Sequence, residues 1–237
     1  MLFVVVLRNM NHILFNISDK LFLRDPQKTD MGQAIVRKSV EMIDIMGFEQ
    51  FTFKKLSKEV ETTEPTIYRY FANKQRLLHY LVDWYWTLMN FRIEYGINNI
   101  TAPEEKLRIC LLLLSGKKGI GSAATYVDEA ALYRIVISES DKTFLTKTVD
   151  KDYKAGLLSP FRETCKKIAD IVHEINPRYP FPHSLVSTAM HAASHQIFYV
   201  KHLPLLSDLK DGSKLLNDKL FIFLEGLVMG TINEIEK

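Results

Sequence analysis

Apolar residues recur at helical spacing along most of the chain. Ile35, Val36, Val40 and Ile43 share one face of a segment starting near Gln33. Thr29 or Asp30 stands where an N-cap is needed, and Gly47 where a left-handed glycine ends a helix. A short helix is predicted over 53–60, capped by Thr52, with Phe53, Leu56 and Val60 turned inward. Thr63 then caps another, whose Pro65 lies in the first turn, where a missing N–H costs nothing. Ile67 and Phe71 are its inward positions, and Asn73 caps a long helix from Lys74 to about Ile93. Further helices are predicted near 103–115, 126–139, 152–175, 183–202 and 213–235, punctuated by Gly116, Gly119, Gly121, Pro177, Pro180 and Pro182. No period-2 run is bounded by hairpin turns, and there is no internal repeat. The predicted fold class is all-α.

Composition narrows the class without naming a function. With 237 residues, 47% hydrophobic and 25% charged, the chain is globular and long enough for a sizeable core. Cys110 and Cys165 are too few for a disulfide framework or a four-thiolate zinc site and suit a reducing cytosol. No stretch approaches the ~20 apolar residues of a membrane span, so no membrane partner is expected and the predicted location is cytoplasmic. The apolar run Met1–Leu7 lacks a basic n-region and stops at Arg8. It reads as an arm, or as translation assigned upstream of a later start such as Met10 or Met31. Residues 16–32 are polar, carry Pro26 and predict an irregular leader. The expected organisation is a disorder-prone leader or arm at 1–30, a three-helix domain at 31–80 and a larger helical domain at 81–237.

Residues 52–71 give two short helices separated by a three-residue turn behind an amphipathic first helix. That is the helix-turn-helix arrangement, whose second helix enters the DNA major groove by its N-terminal residues. The second helix turns Glu64, Pro65, Thr66, Tyr68, Arg69 and Tyr70 outward. Short side chains allow close approach to base edges, hydroxyls bond bases or phosphate, and a Thr methyl or Pro ring packs on a thymine methyl. Asn73-Lys74 joins a helix N-terminus to an ammonium, a combination suited to anions. Charge agrees: residues 51–76 hold six Lys or Arg against Glu59, Glu61 and Glu64, a surplus equal to the +3 of the whole chain. The remainder is neutral.

From Phe51 to Leu78 the sequence resembles the DNA-binding region of TetR/AcrR-type transcriptional regulators. The likeness covers about residues 33–80, includes Gly47-Phe48, and is most specific at Thr66 to Phe71, Asn73-Lys74 and Leu77-Leu78. It implies that Lys54 and Thr66 reach bases and that Pro65 and Tyr68 touch bases or nearby backbone. It further implies that Tyr70, Lys74 and the helix start at Thr52 hold phosphates, while Ile67 and Phe71 are core. Residues and resemblance together give Thr52, Lys54, Lys55, Thr63, Glu64, Pro65, Thr66, Tyr68, Arg69, Tyr70 and Lys74 as the candidate DNA-binding set. One departure is Glu61, which stands in the turn where the family usually has glycine.

The fourth helix is apolar nearly all round, with Leu81, Trp84, Leu88 and Phe91 on one stripe and Val82, Trp86, Met89 and Ile93 on another. It is either plain core or the wall of a cavity. The resemblance favours an effector cavity beside that helix, for which Trp86, Met89, Tyr126, Glu129, Tyr133, His191 and His195 are the candidate lining. His191 and His195 have a spacing that holds zinc, but no third and fourth ligand accompany them, so no metal or other cofactor is expected. No phosphate loop, nucleophile elbow or paired-carboxylate motif is present, and no enzyme is expected. The last helix offers Leu216, Leu220, Phe223, Leu224, Leu227 and Val228, and the preceding one Val186, Ala189, Ala193, Ile197 and Val200. Both complete a core or pair with a second copy as a four-helix bundle. The reading is a homodimeric DNA-binding regulator, a repressor of a palindromic operator, modulated by a small-molecule effector. The alternatives are a ligand- or metal-responsive binding protein whose head no longer grips DNA, or an all-α hydrolase using the His pair.

Overall fold

The computed structural model describes residues 14–117, 125–210, 212 and 215–234. The apolar run 1–7, Met10, Gly119 and Gly121 lie outside them. Among the described residues every regular element is helical: α1 Asp30–Gln50, α2 Phe53–Glu59, α3 Glu64–Tyr68, α4 Lys74–Ile97, α5 Pro103–Leu114, α6 Glu129–Glu139, α7 Asp141–Phe144, α8 Val149–Lys154, α9 Ser159–Ile175, α10 Pro182–His202 and α11 Leu216–Glu234. None is long and apolar enough to cross a membrane.

The chain divides into two compact units, Met1–Leu88 with Ala123–Pro160, and Met89–Ser122 with Phe161–Lys237. The division falls within α4 and groups α6–α8 with the head, where the sequence pattern suggested a boundary near residue 80. In the first unit the caps are those the sequence announces. Thr29 accepts the Gly32 N–H, Thr52 that of Lys55, Thr63 that of Thr66, and Asn73 that of Arg76. Gly47 breaks α1 at φ 76° and ψ 157°, a backbone conformation that side chains disfavour. Ile35, Val36, Val40, Ile43, Leu56, Ile67 and Phe71 are buried as the periodicity requires.

Several expectations change. Residues 14–30 are ordered, with 3-10 turns at Asp19–Leu21 and Pro26–Lys28, and they bury Leu14, Phe15, Ile17 and Leu21. Both backbone groups of Phe15 bond the Gln27 side chain, at 3.0 and 2.7 Å, and its ring meets Trp84 edge-on at 5.3 Å. This segment reads as a loose leader because its apolar residues follow no helical or strand period. The helix predicted over 152–175 is two helices, parted where Gly156 and Leu158 take φ of 81° and 66°. Pro160 then sits in the first turn of α9. The start of α6 is at Glu129, where Asp128 caps Ala130 and Ala131. Helix α4 carries an unforeseen polar stripe, His79, Asp83, Thr87 and Asn90, all at most 2% exposed. Thr87 returns its hydroxyl proton to the Asp83 carbonyl at 2.7 Å, and burial holds the His79 imidazole below its ordinary pKa.

In the second unit α10 buries Val186, Ala189, Ala193, Ile197 and Val200, and α11 buries Leu220, Leu224, Val228 and Ile232. The Asn176 side chain donates to the Ile232 carbonyl at 3.0 Å, tying the end of α9 to α11. Phe223, grouped by the pattern with the inward face of the last helix, is 43% exposed, beside Ile222 at 64%.

The leader and α1 meet at Gly32, where a Cβ would stand 2.4 Å from the Pro26 carbonyl oxygen and 2.6 Å from its Cα. Backbone cannot swing aside as a flexible side chain does. Gly32→Ala is expected to lower the unfolding free energy by about 1–3 kcal/mol, measured by urea denaturation. An unchanged midpoint would mean that the leader contact is not part of the stable fold.

Candidate nucleic-acid interface

The turn between α2 and α3 closes as a Schellman motif. The Thr62 N–H bonds the Ser57 carbonyl at 2.9 Å, and the Glu61 N–H that of Lys58 at 3.4 Å. This places Glu61 at the left-handed position with φ 50°, where a side chain costs about 1–2 kcal/mol. The turn is therefore of the ordinary kind with a strained residue in it, and the glycine usual in the resembling family is explained by the same backbone.

On this scaffold α3 shows Thr63, Pro65, Tyr68 and Arg69 to solvent, with Glu64 and Thr66 half-exposed. The Thr63 and Thr66 hydroxyls share a hydrogen bond of 2.9 Å, which fixes Thr66 without covering it. The Tyr68 ring lies edge-on to Phe53 at 5.1 Å and remains 46% exposed, so its hydroxyl is presented on a rigid arm. Thr52, Lys54 and Lys58 extend this face along α2, all exposed.

Two residues of the expected DNA-binding set, Tyr70 and Lys74, are engaged within the chain, and a third, Lys55, is exposed but tied to backbone. Tyr70 is 3% exposed, and its hydroxyl shares a hydrogen bond of 2.8 Å with Thr29. It fastens the chain just past α3 to the start of α1. The Lys55 ammonium donates to the Gln50 carbonyl at 2.8 Å. The Lys74 ammonium donates to the carbonyls of Phe48, Glu49 and Phe51 at 3.1, 3.2 and 3.3 Å and stands 4.7 Å from the Phe48 ring centre. An ammonium has three protons, so Lys74 is fully engaged within the chain. Arg76 likewise pairs with the buried Asp152 of α8 at 3.2 Å. The positive surplus counted over 51–76 thus overstates what faces outward, which is Lys54, Lys55, Lys58 and Arg69.

The backbone after Gly47 is served from α6 and α7 as well. Glu139 accepts the Phe48 N–H at 3.2 Å, and Lys142 bridges Glu139 and Glu49 at 2.8 and 2.7 Å. Gln75 donates to the Lys142 carbonyl at 2.6 Å, and Arg134 grips Asp44 with two bonds of 2.8 and 2.7 Å. None of these partners was anticipated. They come from distant sequence and follow no local motif.

The candidate effector residues fall into separate environments. In the first unit Tyr126 is buried against Trp84 at 6.2 Å, and Tyr133 stacks on Tyr85 at 5.8 Å. Burial pushes the Tyr133 hydroxyl up to about 12, and it finds no hydrogen-bond partner among the described residues, nor does the Trp84 Nε1. Glu129 accepts from Thr125 at 3.4 Å. Trp86 is buried, as is Met89 in the second unit. His191 and His195 lie with Ser187, Gln196 and Tyr199 along an open depression of about 440 Å³ lined by α10 alone. Their Nδ1 atoms meet the carbonyls of Ser187 and His191 at 2.8 and 2.9 Å. Among the described residues no three His, Cys, Asp or Glu side chains gather as a metal site. Burial raises the Cys110 thiol to about 12, far from a reactive thiolate.

Residues 35–81 match the family model described as bacterial regulatory proteins, tetR family. A search of curated protein sequences matches nothing. Among solved structures, AibR in complex with isovaleryl coenzyme A and operator DNA is 14% identical, with a TM-score of 0.57 over 84% of this chain and 97% of that one. The fatty acid degradation regulator FadR from Bacillus halodurans is 15% identical, with a TM-score of 0.57 over 86% and 96%. The ketosteroid transcriptional regulator KstR2 of Mycobacterium tuberculosis is 12% identical, with a TM-score of 0.56 over 85% and 94%. At such identities the likeness is one of fold.

Two substitutions separate scaffold from face. Lys74→Met keeps the stem but removes three charged hydrogen bonds, and roughly 2 kcal/mol of stability is expected to go with them. An unaltered melting temperature would return Lys74 to the outward set. Glu61→Gly relieves the left-handed strain at some cost in unfolded-state entropy, a net gain of about 0.5–1 kcal/mol. A lowered melting temperature would contradict the turn described here.

Proposed function

We propose that the chain, whose residues 35–81 match the model of bacterial regulatory proteins of the tetR family, is a homodimeric transcriptional repressor. It binds a palindromic operator and is released by a small-molecule effector. The observation that carries this reading is the contrast around α3. Tyr70 and Lys74 are consumed in holding the scaffold, while Lys54, Pro65, Tyr68 and Arg69 stand outward on helices α2 and α3. A surface held in one shape, bearing hydroxyls and cations, suits base edges and phosphates.

Two recognition helices related by a twofold axis would meet successive major grooves about 34–36 Å apart. The last two helices suit the pairing. Ile222 and Phe223 of α11 are exposed, and at Gly226 and Gly230 a Cβ would meet nothing within 4 Å, leaving a bare ridge for close approach. For the effector, the aromatic interior around Tyr126, Tyr133 and Trp86 is the favoured site. The buried Tyr133 hydroxyl and Trp84 Nε1 are the groups a ligand with an acceptor oxygen would satisfy. The Met89, Glu129, His191 and His195 side chains remain candidates of the second rank. That AibR is recorded with both isovaleryl coenzyme A and operator DNA supports this fold as one that serves both ligands. The protein would work in the cytoplasm, beside its DNA.

Selection from a random-sequence duplex library with the full-length chain should enrich an inverted repeat. Thr66→Ala is expected to relax preference at one position of each half-site, at about 1–3 kcal/mol. Arg69→Ala should weaken all sequences alike and flatten the salt dependence. If the wild-type chain enriches no motif, the proposal fails.

A further inference from the structure

The segment before the family-matched residues is built onto the recognition helix. The Leu23 N–H donates to the Tyr70 carbonyl at 2.8 Å. The Arg24 guanidinium lies over the Tyr70 ring, 5.4 Å from its centre, and the Thr29 hydroxyl meets that of Tyr70. Three contacts from 23–29 therefore converge on one residue, two positions beyond the end of α3. The anchor is backed by buried Phe15, Leu21 and Pro26 and by the approach of Pro26 to Gly32. Within this rigid strip Arg24 and Lys28 are exposed, the latter 75% along its side chain.

We propose that Arg24, seconded by Lys28, holds the DNA phosphates that border the groove entered by α3, so that the leader is a second contact of the same head. The inference rests on the DNA-binding reading above. Helix α3 has five residues, about 7.5 Å at 1.5 Å per residue, against a major groove about 12 Å wide. When Thr66 sits on base edges, Tyr70 reaches the edge of the groove, where the phosphate strand runs. Arg24 stands on Tyr70 at that edge. Held over the ring by a cation–π contact, the exposed guanidinium keeps N–H groups available for phosphate oxygens.

The other charges nearby fit the assignment. Asp25 is occupied by the Gln27 N–H at 3.0 Å and by Lys28 at 3.4 Å, an exposed pair that a phosphate can exchange at little cost. Asp30 lies at the start of α1 and opposes the anion, which is why Arg24 rather than Lys28 leads. Lys20, the third cation of the leader, is spent on the Ala155 carbonyl at 2.7 Å and takes no part.

The test uses full-length protein and the duplex selected by the wild-type chain. Each lost phosphate contact should lower the slope of log affinity against log salt by about 0.9. For Arg24→Ala this is about a three-fold smaller loss of affinity per chain between 50 and 200 mM salt, with base preference unchanged. Arg24→Lys should keep most of the slope, and Arg24→Gln, which retains the stacked stem but not the charge, should behave as the alanine variant does. Phosphate ethylation interference should lose the same groove-edge phosphates in both neutral variants. Equal slopes and unchanged interference in folded Arg24→Gln would overturn the proposal while leaving the helix-turn-helix reading intact. Failure of the wild-type chain to select any duplex would overturn both.

Discussion

Once Gly47 leaves the helical conformation, the carbonyls of Phe48, Glu49 and Phe51 have no partner further along α1. Everything in the head depends on how that debt of hydrogen bonds is met. A single ammonium at the first position of α4 collects all three carbonyls, and the Phe48 ring beneath it adds a cation–π contact. The end of α1 and the start of α4 are thereby held at one point, with α2 and α3 strung between them. The placement of α3 between these two ends rests on this knot as well as on the helix-turn-helix itself.

The knot is also where α6 and α7 take hold. Glu139 reaches the Phe48 N–H, Lys142 spans Glu49 and Glu139, and Arg134 clasps Asp44 about one turn back along α1. Residues far along the chain thus finish the satisfaction of the head's backbone, and they do so with charged groups whose geometry is exacting. Any change in α6 or α7 is felt by the same few peptide groups that position α3. A shift in α6 would therefore act on Phe48 and Glu49 directly.

Local rules recovered the head well, because its elements are bounded by residues with one strong local role. Thr52, Thr63 and Asn73 cap, Gly47 breaks, Pro65 opens a first turn, and Glu61 marks a left-handed position by the very glycine it lacks. What escaped is of another kind. Tyr70 and Lys74 have the residue types of a phosphate site, and only their distant partners, Thr29 and the 48–51 carbonyls, turn them inward. The break at 155–158 was signalled by Gly156 and Pro160, but the apolar period runs across it. The polar stripe on α4 has a legible spacing in His79, Asp83, Thr87 and Asn90, yet it was masked by two stronger apolar stripes on the same helix. The candidate effector residues share chemistry rather than proximity, and sequence spacing carries no information on which aromatic rings meet.

The packing of Pro26 against Gly32 bears on how such proteins can be recombined. Modular regulators invite grafting, in which a head of one specificity is joined to the sensing body of another. For this chain a graft cut at the borders of the family match, residues 35 and 81, would strip Thr29 and Arg24 from Tyr70 and Glu139 from Phe48. The transplantable piece is discontinuous, and it begins no later than Leu14 and includes 125–158. A chimaera that respects those limits carries its own hydrogen-bond partners with it. One that does not will transfer the letters of the recognition helix without the frame that aims it.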